Sequence, residues 1–387
     1  MRYMDKRIKI AFLTSLDARD KKSWSCTYYS MAEALQKYCG EIYYIGPIKS
    51  RMESILSFFE KLLRFLFKKN FKYLHSIMLS KSYAKLFTRK LSNQHYDIIF
   101  APSVSTEIAF LDTKIPIIYF SDTTFKLMIN FYKSYSNLFK RSIRNGNLIE
   151  FSAINKASLI IYPTKWPVQS AVNDYNGDIN KIHTIQLGTN VKKIPSIDII
   201  LKRNLNDPCI LFFLGVNWDR KGGTIAFNTL LKLEELGIHS KLIVCGCVPP
   251  SNLKHKWMTV IPYLDRNHEI QNNKLYNLYL TSHFIFLPTR AETMGMVFCE
   301  ALAFGLPSIT TDVGGVKEVV IDKKTGFTLP HSADSVDYAE IITKTWQDKT
   351  LYIEMVKNCY KYYNTNFSWE LWANKLNTLI KSILVSS

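Results

Sequence analysis

The sequence predicts an α/β protein made of two Rossmann-like domains, each built on a parallel sheet, and three observations carry that expectation. Apolar runs of strand length alternate with helical patterns along the chain. A polar connector marked by Gly and Pro, LGTNVKKIPSIDIILKRNLNDP, interrupts the alternation around 188–208, and the same pattern then restarts. At 387 residues the chain is too long for one ordinary core, so two domains are the natural expectation.

Taken in order, strands are expected at 8–13, 41–45, 97–101, 115–120, 159–162 and 182–186 in the first half. In the second half they are expected at 209–215, 240–246, 259–264, 283–288, 307–312 and 325–330. Helices separate most of these pairs, for example over 224–236, and the pattern from Trp369 to Ile383 reads as an amphipathic terminal helix. The domains are therefore drawn as 1–190, 191–368 and a helix over 369–387 that crosses back to the first domain, with a linker near 190–205. Two tandem α/β domains bind ligands in the cleft between them, at the carboxyl ends of their strands.

Composition narrows the class. Hydrophobic content of 47% with 21% charged residues is that of a globular chain. The seven cysteines are scattered, and Cys245-Gly-Cys247 has no second pair, so reduced thiols fit better than a zinc cage or a disulfide framework. The first apolar run contains Lys9 and is short, which favours a strand over a secretion signal, and no stretch of 18 uninterrupted apolar residues occurs. These features point to a cytoplasmic protein, either soluble or peripheral at the inner face of the cell membrane. Net charge is +18, unevenly spread. Residues 49–95 hold eleven Lys/Arg against Glu53 and Glu60, whereas from 201 onward twenty basic residues meet seventeen acidic ones.

The densest chemistry lies in RAETMGMVFCEALAFGLPSITTDVGG, 290–315. Glu292 follows an expected strand through a short loop. A helix is expected to start at Gly295 or Met296 and to run to Phe304, where Gly305 and Pro307 stop it. With Glu292 in the loop and Glu300 on the helix, both carboxylates can point into one site, and the helix start favours a phosphate. A carboxylate offers two oxygens in a plane to paired sugar hydroxyls. The plainer alternative is a solvated loop charge and an exposed helix charge.

The segment PTRAETMGMVFCEALAFGLPSITTDVGGVKEVV resembles the donor-binding region of the family 4 retaining glycosyltransferases of GT-B fold, with their Glu–seven residues–Glu signature. The resemblance implies that Glu292 faces the transferred sugar, that Glu300 holds the ribose hydroxyls, and that the backbone around Gly295, Met296 and Val297 meets the distal phosphate or sugar. FFLGVNWDRKGG, 212–223, is similar to the loop opening that family's second domain, where a basic pair binds the diphosphate. Lys221 matches the family lysine. Val216 stands where an arginine is usual, and Arg220 is its substitute. Positive charge there would stabilise a diphosphate leaving group without a metal.

In the first domain, SLDARDKKSWSCTYYSMAEAL is similar to the acceptor-side loop, at Ser25, Cys26 and Thr27. Cys26 stands where a glycine would admit close backbone approach, and it reads equally as a packed thiol. Asp122, in PIIYFSDTTF, is the candidate for a polar group near the reacting carbon or, equally, a cap of the next helix. Membership would imply transfer of a sugar from a nucleotide diphosphate sugar with retention of configuration. The acceptor would be a glycan, lipid-linked or cell-envelope molecule. No Asp-X-Asp occurs, and neither a metal nor a cofactor is expected. A sugar phosphorylase of the same fold and a non-catalytic glycan- or protein-binding subunit are the alternatives.

The basic stretch also asks for a partner. Ile55, Leu56, Phe59, Leu62, Leu63 and Leu66 recur at helical spacing, with Lys61, Arg64 and Lys68 off that face. Residues 49–90 either lie on an anionic membrane surface or pack on the first sheet with a solvated basic rim. No nucleic-acid motif accompanies the charge, so nucleic acid is not an expected partner.

Overall fold

The computed structural model describes residues 7–386 except 192 and 207, and all of their side chains except those of Ser25 and Ser386. The chain divides into two compact units: one runs up to Leu187 and takes in the segment from Trp369 onward, and the other spans Gly188–Ser368.

In the first unit β1 (Lys9–Phe12), β2 (Glu41–Tyr44), β3 (Ile98–Pro102), β4 (Ile117–Phe120), β5 (Leu159–Tyr162) and β6 (Ile182–Thr184) form one parallel sheet. The strand order is β2-β1-β3-β4-β5-β6, which reverses direction between β1 and β3. The central runs IIFAP, IIYF and LIIY are apolar at nearly every position because both faces are covered. The covering helices are α1 (Thr27–Tyr38), α2 (Arg51–Phe67), α3 (Ile77–Leu91), α4 (Ser105–Ile108), α5 (Phe125–Met128), α6 (Lys140–Lys156) and α7 (Trp166–Tyr175).

The second unit begins with α8 (Ile197–Ile200). It then carries β7 (Cys209–Leu214), α9 (Gly223–Glu235), β8 (Ser240–Cys245), β9 (Met258–Ile261), α10 (Glu269–Thr281) and β10 (Phe284–Leu287). Next come α11 (Met296–Ala303), β11 (Ser308–Thr311), β12 (Gly326–Leu329), α12 (Ser335–Gln347) and α13 (Lys349–Asn366). Its parallel sheet runs β12-β11-β10-β7-β8-β9, the dinucleotide-fold order, with its switch point between β7 and β10. The last helix, α14 (Trp369–Ser386), returns to the first unit, where Trp372 is fully buried edge-on against Phe100 and Ala373 O accepts from Cys39 Sγ. Both units are thus parallel, doubly wound α/β domains.

Of the two readings the sequence leaves open for α2, packing on the sheet holds only in part: of the apolar face, Leu56 alone is buried and Leu63 is half-buried, while Ile55, Phe59, Leu62 and Leu66 are exposed. The helix is held instead by Met52 and Leu56 against the core, by a capping box between Ser50 and Glu53, and by the Tyr83 hydroxyl donating to Glu53. Among the described residues no helix is long and apolar enough to cross a membrane.

Candidate functional site

In an open parallel sheet, ligands collect at the carboxyl ends of the strands where the order reverses. In the second unit that point lies between β7 and β10, and the loops following these two strands are stitched together. Arg290 N donates to Arg220 O at 2.7 Å and Thr289 Oγ1 to the same carbonyl at 3.1 Å. The approach is so close that a Cβ on Gly222, at φ +76°, would lie 1.9 Å from Pro288 O. Glycine is required here both for its left-handed backbone and for its missing side chain.

This stitching brings three sequence-identified residues together. Arg220 Nη1 donates to Ala291 O at 2.9 Å and to Glu292 Oε2 at 3.2 Å, and Lys221 Nζ donates to the same Oε2. Lys221 and Glu292 are 6% and 9% exposed, so the pair sits in low dielectric with little screening. Burial pushes the Glu292 carboxyl up, and the Lys221 ammonium and Arg220 guanidinium outweigh it, leaving it below the usual carboxylate range. Val216 is 75% exposed and takes no part in this cluster.

Three residues further on, Gly295 at φ +82° precedes α11, and no side chain caps that helix start. Met296 and Val297, both half-buried, open the first turn. The N–H groups and dipole of this turn form an electropositive end. Helix α11 is apolar nearly all round and therefore buried. Its one carboxylate, Glu300, is 2% exposed and fully engaged: Arg266 grips it through two bonds of 2.5 and 2.7 Å, and the Tyr279 hydroxyl donates to Oε2 at 2.6 Å. Burial and the Glu300 charge hold the Tyr279 phenol protonated, well above its ordinary range.

Sequence reasoning missed Arg266, Tyr279 and a third residue, Arg203. Arg266 sits in PYLDRNHE just past β9, again at a strand's carboxyl end, and that position was the available signal. Tyr279 lies inside α10 and reads as core. Arg203, 9% exposed in the expected linker, donates to Leu280 O, Phe304 O, Gly305 O and the Tyr352 hydroxyl at 2.7–3.2 Å. One guanidinium thereby satisfies the terminal carbonyls of α10 and α11, the helices that carry Tyr279 and Glu300.

In the first unit, Cys26 caps α1 with φ +72°, a left-handed conformation rare outside glycine, and it is half-buried. Thr27 is buried beside it; the side chain of Ser25 lies outside the described residues. Asp122 is half-buried after β4. The residue at the N-cap of α5 is Thr124, whose side chain makes no capping bond. A further carboxyl, Glu107, is pushed up to about 7 by burial, and burial, with the charges of Glu107 and Asp122 added to it, raises the Tyr28 phenol. These three groups cluster beyond β1, β3 and β4, at the first sheet's own switch point. Among the described residues no group of three or more His, Cys, Asp or Glu could hold a metal ion.

Residues 201–362 match the family model described as "Glycosyl transferases group 1". A D-inositol 3-phosphate glycosyltransferase of Corynebacterium jeikeium (strain K411) is 23% identical over 260 residues, 63% of this chain and 62% of that one. The chain spans less than two thirds of the length of its curated relatives, 62% for this one and 47% for one from Bacillus subtilis (strain 168). Among solved structures, the sucrose-phosphate synthase of Thermosynechococcus elongatus superposes with a TM-score of 0.71 at 16% identity, over 98% of this chain and 100% of that one. Anabaena HepE, in complex with UDP and glucose, superposes with a TM-score of 0.62 at 15% identity, over 99% and 100% of the two chains. At such identities these likenesses establish the fold.

Proposed function

From the premise that the second unit is a member of the group 1 glycosyl transferases over residues 201–362, we propose that the protein transfers a sugar from a nucleoside diphosphate sugar to a glycan, lipid-linked or cell-envelope acceptor, with retention of configuration. One observation carries this reading: two cations from the loop after β7 meet Glu292 from the loop after β10, three residues before an uncapped helix start at the sheet's switch point. A diphosphate needs that concentration of positive charge, and a sugar needs a fixed carboxylate beside it.

In this mechanism Glu292 holds the Lys221 ammonium and Arg220 guanidinium in place before the donor arrives, so little reorganisation remains at the transition state. The diphosphate then draws the two cations and the N–H groups of Met296 and Val297, and Glu292 turns its oxygens to the sugar hydroxyls. As the anomeric bond breaks, Lys221 and Arg220 stabilise the charge growing on the leaving phosphate. The acceptor enters on the same face and passes its proton to that phosphate, which retains configuration. Glu300 receives the ribose hydroxyls when Arg266 yields one or both of its bonds. Asp122, with the backbone around Cys26 and Thr27, orients the acceptor. The charge is supplied by side chains, so turnover proceeds without a metal.

UDP is the first nucleotide to try, because the Anabaena structure holds it. Nucleotide release from UDP-, GDP- and dTDP-sugars with extracted acceptor pools tests the reading. Release that depends on an added acceptor supports transfer; sugar 1-phosphate formed from inorganic phosphate would assign a phosphorylase instead. Treatment with EDTA should leave the rate unchanged. A cytoplasmic place beside an anionic membrane completes the proposal, its support being the cationic stretch over 49–95.

A further inference from the structure

Helix α2 carries a broad apolar face, and only one edge of it packs on the fold. Met52 and Leu56 face inward. At about 100° per residue, Ile55, Phe58, Phe59, Leu62, Phe65 and Leu66 fall within an outward arc of about 120° centred near Leu62. All six are exposed, from 39% at Leu62 to 63% at Phe58 and 82% at Phe65. Soluble surfaces scatter large apolar residues singly, and a continuous aromatic stripe along one helix marks a docking face.

The charges around the stripe identify what it docks on. Arg51, Lys61, Lys68 and Lys69 on and just after α2 are exposed, and Lys81 and Lys85 lie on the neighbouring α3. The region's two acids are turned away from the stripe: Glu53 is tied to Ser50 N and Tyr83, and Glu60 to Arg64. A protein partner would need one acidic surface with a matching apolar groove. A second copy of this chain would bring the same cations against themselves, since 49–95 carries eleven Lys/Arg against two acids. An anionic bilayer interface offers both requirements in one plane, an apolar layer beneath a negative headgroup layer.

We propose that α2 is a membrane-docking helix that lies in the plane of an anionic bilayer, with Phe58, Phe65 and Leu62 at its deepest line and Lys61, Lys68 and Lys69 among the lipid phosphates. This deepens the membrane-side placement above and is independent of the transfer chemistry, so each can fail without the other. Three orthogonal features support it: the arc of exposed apolar residues, the one-sided charge, and the fixing of the helix from behind through its capping box and Leu56, which leaves the outer face unused by the fold.

The test uses the full chain in vesicle co-sedimentation, with phosphatidylcholine alone and with roughly one third phosphatidylglycerol, at low and high salt. Binding should require the anionic lipid and weaken with salt. Phe58→Ser/Phe65→Ser should weaken it by about tenfold or more, and Lys61→Gln/Lys68→Gln/Lys69→Gln should remove most of the preference for anionic lipid. All five positions are exposed, so circular dichroism and melting temperature should match the parent protein. Failure to bind anionic vesicles, or binding that the Phe58/Phe65 variant retains in full, overturns the proposal. It is equally overturned if the parent sediments as a dimer and the Phe58/Phe65 variant as a monomer, which would assign the face to a second copy. Nucleotide release measured with a soluble acceptor should be unchanged in both variants, which separates this failure from failure of the transferase reading.

Discussion

Replacing Lys221 with Met tests the buried ion pair and the proposed diphosphate site together. Lys221 is 6% exposed and its ammonium contacts a carboxylate that is itself 9% exposed. At an effective dielectric of about 20, opposite charges about 3 Å apart attract by about 5 kcal/mol, and most of that offsets the cost of desolvating both groups. Removing one partner leaves the desolvation cost of the other. Breaking such pairs costs about 3–5 kcal/mol, and because Arg220 still reaches Glu292 at 3.2 Å the lower end, about 3 kcal/mol, is expected. For a unit of this size that corresponds to a fall in melting temperature of roughly 6–12 °C, readable by scanning calorimetry as a shift of one of two transitions. The double variant Lys221→Met/Glu292→Gln should recover to within about 1 kcal/mol of the parent, because neither charge is then stranded. A Lys221→Met protein that melts like the parent, or a double variant less stable than either single one, would refute the reasoning.

Other outcomes follow from the same geometry. Arg203→Met should destabilise by about 3–5 kcal/mol, since it strands three helix-end carbonyls and removes one of the two bonds of the buried Tyr352 hydroxyl, which still donates to His283 O; urea titration of the second unit's transition checks it. Glu300→Ala should weaken nucleotide binding while leaving Arg266 and Tyr279 without their acceptor, and unchanged calorimetric affinity would remove Glu300 from the ribose. Burial raises the Glu150 carboxyl to about 7 from an unfolded value of 4.5, so its stability contribution is full below the unfolded value and is lost as pH rises toward 7. His75, pushed down to about 4 by burial, works in the opposite direction between about 4 and 6.5, so the Glu150 effect is isolated by difference. The stability of the parent relative to Glu150→Gln should therefore fall by about 3 kcal/mol between pH 4.5 and 7.5, in chemical denaturation at a series of pH values. A difference that stays flat across that window would count against a buried, protonated Glu150.

The two sheets were legible because parallel strands buried on both faces read as unbroken apolar runs, such as IIYF and FIFL, whose lengths exclude helices. The start of α11 was legible because Gly295 and the Gly305–Pro307 stop are local signals. The Lys221, Arg220 and Glu292 cluster was anticipated as residues, but not as an ion pair, because Lys221 and Glu292 stand 71 residues apart and their meeting depends on the stitching of two loops at Gly222 and Pro288. Arg266 and Arg203 were invisible for the same reason: each acts through partners distant in sequence, Glu300 in one case and helix-end carbonyls in the other. Helix α2 shows the converse failure. Its apolar periodicity was read correctly, but periodicity cannot say how much of an apolar face the fold covers, and the fold covers only one edge of it.

The central claim is that the second unit grips a nucleoside diphosphate through the loops after β7 and β10. Isothermal titration of the full protein and of Lys221→Ala with UDP, GDP and dTDP tests it most directly. The account predicts one-to-one binding of one of these nucleotides by the parent and a loss of about tenfold to a hundredfold in the variant. Equal affinities in the two proteins, or no heat of binding with any of the three nucleotides, would contradict it.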